Sequence, residues 1–292
     1  MNPRDLYGWC RIPAGDLAGH PQRRMSFRLV NDSAEMGRVM ACELLDVIRS
    51  RNANRLATRA ILPCGPVSWL RPFRDEVNAQ SISLRGLHVF HMDECLDWQG
   101  RLLPQGHPYN FRSFMEENFY KGIRSELAVP QEQRHWLTPE TALEISQRLA
   151  VAPVDIALGG WGQDGHVAYN QARRHPFSAV TVADLAQSTI RIQENNLDTI
   201  LALAQRTFGG AYQFVPPMSI TLGMSECMTA RRVRLFSDTG AWKQTALRVA
   251  LFSEPVAEYP ITLLQTHTDA LLTATLETAR HPISENPQWQ LF

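Results

Sequence analysis

The architecture of this chain turns on Val154-Asp155-Ile156-Ala157-Leu158-Gly159-Gly160-Trp161-Gly162-Gln163-Asp164-Gly165-His166. Val154–Leu158 is a short apolar run of the kind found in strands buried on both faces. It breaks into Gly159-Gly160-Trp161-Gly162, a turn that hands Asp164 and His166 over together. A carboxylate beside an imidazole fixes its orientation and raises its basicity, and histidine titrates near the working pH of most enzymes. The plainer reading is that the glycines make a tight turn and Asp164 is a turn residue. Gly160-x-Gly162-x-x-Gly165 also satisfies a dinucleotide fingerprint. That reading fails because Asp164-Gly165-His166 stands where the fingerprint helix should begin, and no clear second strand leads to the acid at Asp184.

Outward from this strand the pattern alternates. Ser26–Val30 reads as a strand, and Asp32 with Glu35 as a capping box opening a helix with Met36, Met40, Leu44, Val47 and Ile48 on one face through about Arg51. Ala60–Pro63 is a short buried strand that ends at the turn Cys64-Gly65-Pro66. Leu87–Met92 is the next strand, followed by a polar loop and a helix near Tyr109–Tyr120. Thr138-Pro139 reads as an N-cap and first helical residue, with Ala142, Ile145 and Leu149 on one face. Met218–Leu222, Val233–Phe236, Ile261–Leu264 and Ala270–Thr273 are later strands, and Lys243, Ala246, Leu247, Ala250 and Leu251 mark a helix. Strands alternating with helices predict an α/β fold: a single domain with a mainly parallel, doubly wound sheet covered by helices on both faces. Residues 1–25 lack a period and read as an N-terminal extension to a domain over 26–292. Leu6, Tyr7 and Trp9 in it are candidates to pack on the body or on another subunit, which leaves a homo-oligomer open.

Composition narrows the function. The 292 residues carry 29 Lys plus Arg against 29 Asp plus Glu, a net charge of zero that argues against nucleic acid or an anionic membrane as partner. A 44% hydrophobic and 20% charged composition fits a folded globular chain. Five cysteines (Cys10, Cys42, Cys64, Cys95 and Cys227), odd in number and never in a CxxC, fit neither a disulfide framework nor a zinc site. They predict a reducing compartment. With no secretory signal and no apolar run long enough to span a bilayer, the expectation is a cytoplasmic protein.

Two further segments carry polar groups suited to chemistry. In His88-Val89-Phe90-His91-Met92-Asp93-Glu94, period two places His91 and Asp93 on one face of the strand, and Asp93 falls just past its C-terminal end, where open α/β sheets hold ligands. The residue types allow a general base, a loop cap or a metal set, although the strand spreads the histidines and acids over both faces. Ser237-Asp238-Thr239-Gly240-Ala241-Trp242-Lys243 runs from strand end to helix start, where a lysine can meet an anion held at the helix N-terminus.

Together these segments resemble the glucosamine-6-phosphate deaminase (isomerase) family, whose relatives include 6-phosphogluconolactonases. His91-Met92-Asp93-Glu94 is similar to the family's N-M-D-E-Y, with His91 for Asn and Cys95 for Tyr. His107-Pro108-Tyr109 and Phe114-Met115-Glu116-Glu117-Asn118-Phe119 resemble H-P-x-S-Y…F-M-x-x-N-F-F, and Gly159–Asn170 resembles G-G-x-G-x-D-G-H-I-A-F-N. Met218–Met224 and Leu264–His267 match later signatures, and Lys243 matches the lysine of S-G-x-x-K-A. The resemblance implies a cofactor-free, metal-free aldose–ketose isomerisation coupled to loss of ammonia, on a small-molecule sugar or sugar phosphate. By this resemblance His166, oriented by Asp164, would open the sugar ring, and Asp93 would move the proton between C2 and C1. Gly65, Ser68, Glu94, Gly162, Gln171 and Lys243 are the implied substrate-binding residues.

Three departures qualify this. Gln171 replaces the family's acid after A-F-N. Cys64-Gly65-Pro66-Val67-Ser68 replaces the phosphate loop T-G-x-T-P, and Pro66 has no N–H to offer an anion. The family's phosphate arginine has no evident match: Thr189 falls near its place, Arg191 two residues on, with Arg173 and Arg174 as other cations. Lys243 is thus the one phosphate anchor that the comparison retains, which predicts weak phosphate dependence. A non-catalytic sugar-binding protein and a lactonase-like hydrolase are the alternatives.

Overall fold

Short aliphatic runs build the frame, and the alternation of side chains along them dictates two buried faces. The computed structural model describes residues 1–171, the backbone of 174–175 and 178–179, and residues 180–292. Its strands are β1 (Ser26–Val30), β2 (Thr58–Leu62), β3 (Leu87–His91), β4 (Asp93–Leu96), β5 (Arg134–His135), β6 (Ile156–Gly159), β7 (Arg174–His175), β8 (Ser178–Ala179), β9 (Arg191–Glu194), β10 (Met218–Thr221), β11 (Val233–Ser237) and β12 (Ala270–Thr275). Among the described residues, seven of them form one sheet in the order β1-β12-β11-β6-β2-β3-β5, with every neighbouring pair parallel. The helices are α1 (Pro3–Cys10), α2 (Ser33–Ala53), α3 (Leu70–Ala79), α4 (Phe111–Met115), α5 (Ala142–Val151), α6 (Val182–Ala186), α7 (Leu197–Phe208), α8 (Met224–Met228), α9 (Gln244–Phe252), α10 (Leu276–Ala279) and α11 (Pro282–Glu285).

Period two sends Ala60, Leu62, Val89, Ile156 and Leu158 to one face, where they pack on Met36, Met40 and Leu44 of α2 and Phe73 of α3. Ile61, Phe90, Ala157, Leu235 and Leu272 go to the other face, against Ile145 of α5 and Leu247 and Ala250 of α9. Both faces are therefore dry, the condition under which an all-parallel sheet is stable. The order reverses direction between β2 and β6, so their C-terminal ends diverge and open a crevice there.

Several elements differ from the sequence expectation. Met218–Leu222 does not join the parallel sheet: β10 lies between β4 and β9 in a separate antiparallel sheet. His91 and Asp93 consequently do not share a strand face. The Met92 N–H donates to the Leu62 carbonyl and its own carbonyl accepts from Leu222, so the chain changes sheets at this residue. Ile261–Leu264 is not a strand but part of a 3-10 helix over Pro260–Thr266. Its apolar run is buried all round, and a short apolar run does not distinguish the two conformations. Helix α5 begins at Ala142 rather than at Thr138, because the Thr141 hydroxyl donates to the Trp136 carbonyl and closes a turn first.

Residues 1–25 are also more than an extension. Asn2 caps α1 by accepting from the Arg4 N–H, and Pro3 occupies the first turn, so a helix forms where no apolar period is visible. Ala14, Leu17 and Met25 are buried in the same cluster as β12 and α9, with no break in the core at residue 25. Replacing Leu17, which is fully buried, by Ala should therefore cost about 2–5 kcal/mol, as for a sheet-core leucine. Chemical denaturation of Leu17→Ala beside Leu272→Ala checks this; a cost under about 1 kcal/mol would make the segment an appendage.

Candidate active site

The strands deliver their polar residues to the crevice. The ends of β2, β6 and β11, the start of β4 and one face of α7 enclose a cavity of about 600 Å³ lined by Asp93, His166, Lys243, Gly65, Gly162 and Arg206, among others. Asp93, His166 and Lys243, separated by up to 150 positions in the chain, thus meet in one place.

The turn after β6 is built around the imidazole. His166 Nδ1 lies 2.6 Å from Asp164 Oδ1, and the His166 backbone N–H also donates to that oxygen at 3.3 Å. With the carboxylate on Nδ1, the neutral ring carries its proton there and Nε2 is the nitrogen left for a ligand. A Cβ at Gly162 would lie 2.1 Å from His166 Cε1, so only glycine leaves room for the ring. Gly165 takes φ +72° to close the turn. Burial works to raise the Asp164 carboxyl, but the His166 charge and hydrogen bonds outweigh it and hold the pKa below the usual carboxylate value. Gly162 thus makes room for the imidazole and also lines the cavity.

Asp93 opens β4 and lines both the main cavity and a chamber of about 10 Å³ that it shares with Cys64, His91 and Glu94. Its carboxyl is pushed up to about 7 by burial, with the Glu94 charge adding and His166 opposing. A group poised near neutrality is suited to taking and returning a proton. Cys64 and Cys95 are driven the other way for a nucleophile: burial and nearby carboxylates hold both thiols protonated. Among the described residues no group of three or more His, Cys, Asp or Glu is placed to hold a metal ion.

Three of the expected substrate-binding residues, and His91 beside them, lie off the wall of the main cavity. Glu94 does not face the main cavity. Its carboxylate accepts from the N–H groups of Cys95 (3.0 Å), Phe111 (2.7 Å) and Arg112 (2.8 Å), fastening the first turn of α4 to β4. Burial still raises its pKa to about 7 against those bonds. Ser68 is set back from the cavity, its Oγ buried without a partner among the described residues. Gln171 lies away from His166: its Oε1 accepts from the Asn196 N–H (2.9 Å) and the Thr199 hydroxyl (2.8 Å), tying down the start of α7. His91 stacks on Trp136 with centroids 3.7 Å apart and meets the Tyr120 hydroxyl at 2.9 Å, so it is packing rather than chemistry.

The residue that sequence reading missed is Arg206. It sits on α7, where Asn196 stands at the N-cap and Gly209 ends the helix in a left-handed conformation. Thr199, Ala202, Leu203 and Arg206 follow helical spacing on its cavity face. Lys243 lies close by, its pKa lowered to about 8 by burial and by Arg206, with Asp238 and Asp164 opposing. Neither cation forms an ion pair within the described residues. Arg191 instead donates to Asn170 Oδ1 at 2.9 Å and stays off the cavity wall. Arg173 and the Arg174 side chain lie outside the described residues.

Fold and site define a class: an open α/β enzyme scaffold with a carboxylate, an imidazole–carboxylate pair and two cations around one cavity at the sheet's switch point. No protein-family model matches the chain. It is 33% identical over 199 residues to a glucosamine-6-phosphate deaminase of Caenorhabditis elegans, covering 65% of this chain and 67% of that one. It is 31% identical over 238 residues to glucosamine-6-phosphate deaminase 1 of Mesocricetus auratus, covering 75% of each. The chain belongs to the glucosamine-6-phosphate deaminase family. The fold agrees with that of a monomeric glucosamine-6-phosphate deaminase of the NagB superfamily, with a TM-score of 0.71 at 19% identity over 87% of this chain and 99% of the other. A 6-phosphogluconolactonase from Shewanella baltica shares it at a TM-score of 0.60 and 16% identity, over 86% and 97% of the two chains.

The coupling of the two carboxyls is open to a direct test. Glu94→Gln removes the like charge beside Asp93, so the Asp93 carboxyl should titrate at lower pH than in the native protein. Carbon-13 NMR of the aspartate carboxyls follows this; an unchanged midpoint would leave burial alone as the cause.

Proposed function

We propose that this protein converts an amino-aldose phosphate and water into the ketose phosphate and ammonia, with glucosamine 6-phosphate the first substrate to test. The observation that carries this reading is the placing of Asp93 and the His166–Asp164 pair in one cavity with Arg206 and Lys243.

His166 Nε2 accepts the anomeric hydroxyl proton and returns it to the ring oxygen, opening the pyranose to the aldehyde. Asp164 stabilises the imidazolium formed on the way. Asp93, ionised, removes the proton at C2, where the neighbouring carbonyl makes it acidic. An enolamine results, with oxygen on C1 and the amine on C2. The same carboxyl then delivers the proton to C1, giving the C2 imine, and water adds to that imine as ammonia leaves. The phosphate is held by Arg206, whose planar fork can give paired hydrogen bonds, and by Lys243 as a point charge. The loop Cys64–Ser68 contributes shape rather than a full set of amide donors, since Pro66 has none. The weak phosphate dependence expected from the sequence therefore gives way to recognition from α7.

Asp93→Asn should abolish exchange of the C2 proton with solvent, lowering kcat by about 10²- to 10⁴-fold while binding changes within a few-fold. Deuterium uptake by NMR measures it, and undiminished exchange would remove Asp93 from the mechanism. Arg206→Ala should raise KM for glucosamine 6-phosphate by about 10- to 100-fold, the loss of a charge-assisted hydrogen-bond set, with kcat little changed. The pH profile should fall on both sides. Below about pH 7 Asp93 takes up a proton and ceases to be a base, so kcat/KM drops. Above about pH 8 Lys243 loses its charge, so KM for the phosphorylated sugar rises.

A further inference from the structure

Helix α7 carries one of the two cations and is only lightly held by the core. Thr199 and Ala204 are its buried residues, while Leu197 and Leu201 face solvent. Its position rests instead on polar pins at its two ends. At the first turn Gln171 accepts from the Asn196 N–H and the Thr199 hydroxyl, and Gln163 Nε2 donates to the Asp198 carbonyl at 2.8 Å. At the last turn the Tyr109 hydroxyl sits 2.5 Å from Thr207 Oγ1 and donates to the Leu203 carbonyl at 3.3 Å. Arg206 lies between those two partners in the sequence. The Thr207 hydroxyl can donate to Tyr109 while Tyr109 donates to Leu203, which satisfies both groups at once.

Tyr109 is well placed for such a pin. It is buried, lines the cavity, and its ring packs edge-on to Phe208 with centroids 5.8 Å apart. It also precedes the α4 turn that Glu94 fastens to β4, the strand that begins with Asp93. The hydroxyl thus spans from the element that carries the base to the turn that carries the arginine. We propose that Tyr109 is a positioning residue: its hydroxyl locks the last turn of α7 so that Arg206 meets the phosphate at a set distance from Asp93. This assignment rests on the reading of Arg206 and Lys243 as the phosphate site. In this assignment Tyr109 takes no part in bond making, and its effect passes through Arg206.

Tyr109→Phe keeps the ring and its packing and removes only the pin. KM for glucosamine 6-phosphate and the inhibition constant of inorganic phosphate should both rise about 3- to 10-fold, with kcat within about two-fold. Thr207→Val should do the same, and the double variant no more than either alone. In an Arg206→Ala background Tyr109→Phe should have no further effect on either constant, a result that mere loss of stability does not produce. If Arg206→Ala leaves the inhibition constant of inorganic phosphate unchanged, the phosphate reading itself falls. If Arg206→Ala weakens phosphate but Tyr109→Phe does not, or does so equally without Arg206, the phosphate reading stands and the positioning role of Tyr109 is overturned.

Discussion

The hydrogen bond between a buried Asp164 and His166 is the constraint around which this site is arranged. It closes a five-residue turn in which residue 162 has no room for a Cβ and residue 165 needs a positive φ. Both demands follow from bringing an imidazole back onto a carboxylate two positions before it. Once that turn is made, Nε2 has one direction to face, and the cavity must lie there. The strand before it therefore has to end at the sheet's switch point, between neighbours whose C-terminal ends diverge.

Asp93 reaches the same cavity by another route. Its strand does not continue β3 but leaves the parallel sheet at Met92 and pairs with β10 in the antiparallel one. The change of sheet carries the carboxyl away from bulk water and sets Glu94 beside it. Glu94 is itself held by three backbone N–H groups. Burial of two adjacent carboxyls is costly to their charged forms, and a rise of both toward neutrality is the consequence. A carboxyl that gives and takes a proton within one turnover gains from that environment.

The end of the cavity lined by Arg206 and Lys243 obeys a different logic. The loop after β2 presents Pro66, which has no N–H, and the cations on the cavity wall are Arg206, on a helix pinned at its ends by Gln171 and Tyr109, and Lys243. Gln171 illustrates the exchange: as a neutral amide with its oxygen on a helix N-terminus, it holds the wall of the cavity rather than the charge of the imidazole.

Much of this was legible in the amino-acid order alone. Val154–Leu158 with its glycine turn, the strand before Asp93 and the alternation of elements announce a doubly wound sheet, because burial on both faces leaves an unmistakable apolar run. The pairing of Asp164 with His166 is local, two residues apart, and so was readable. What depends on distant partners was not. Whether Ile261–Leu264 extends or coils is settled by the walls around it, since its own period is ambiguous. The sheet that β4 and β10 join is chosen by pairing across about 120 positions, and the ordering of residues 1–25 depends on α9. The place of Arg206 was decided by tertiary structure for the same reason: a cation on an amphipathic helix becomes a binding group only when another element, here the Tyr109 hydroxyl, fixes which way the helix turns.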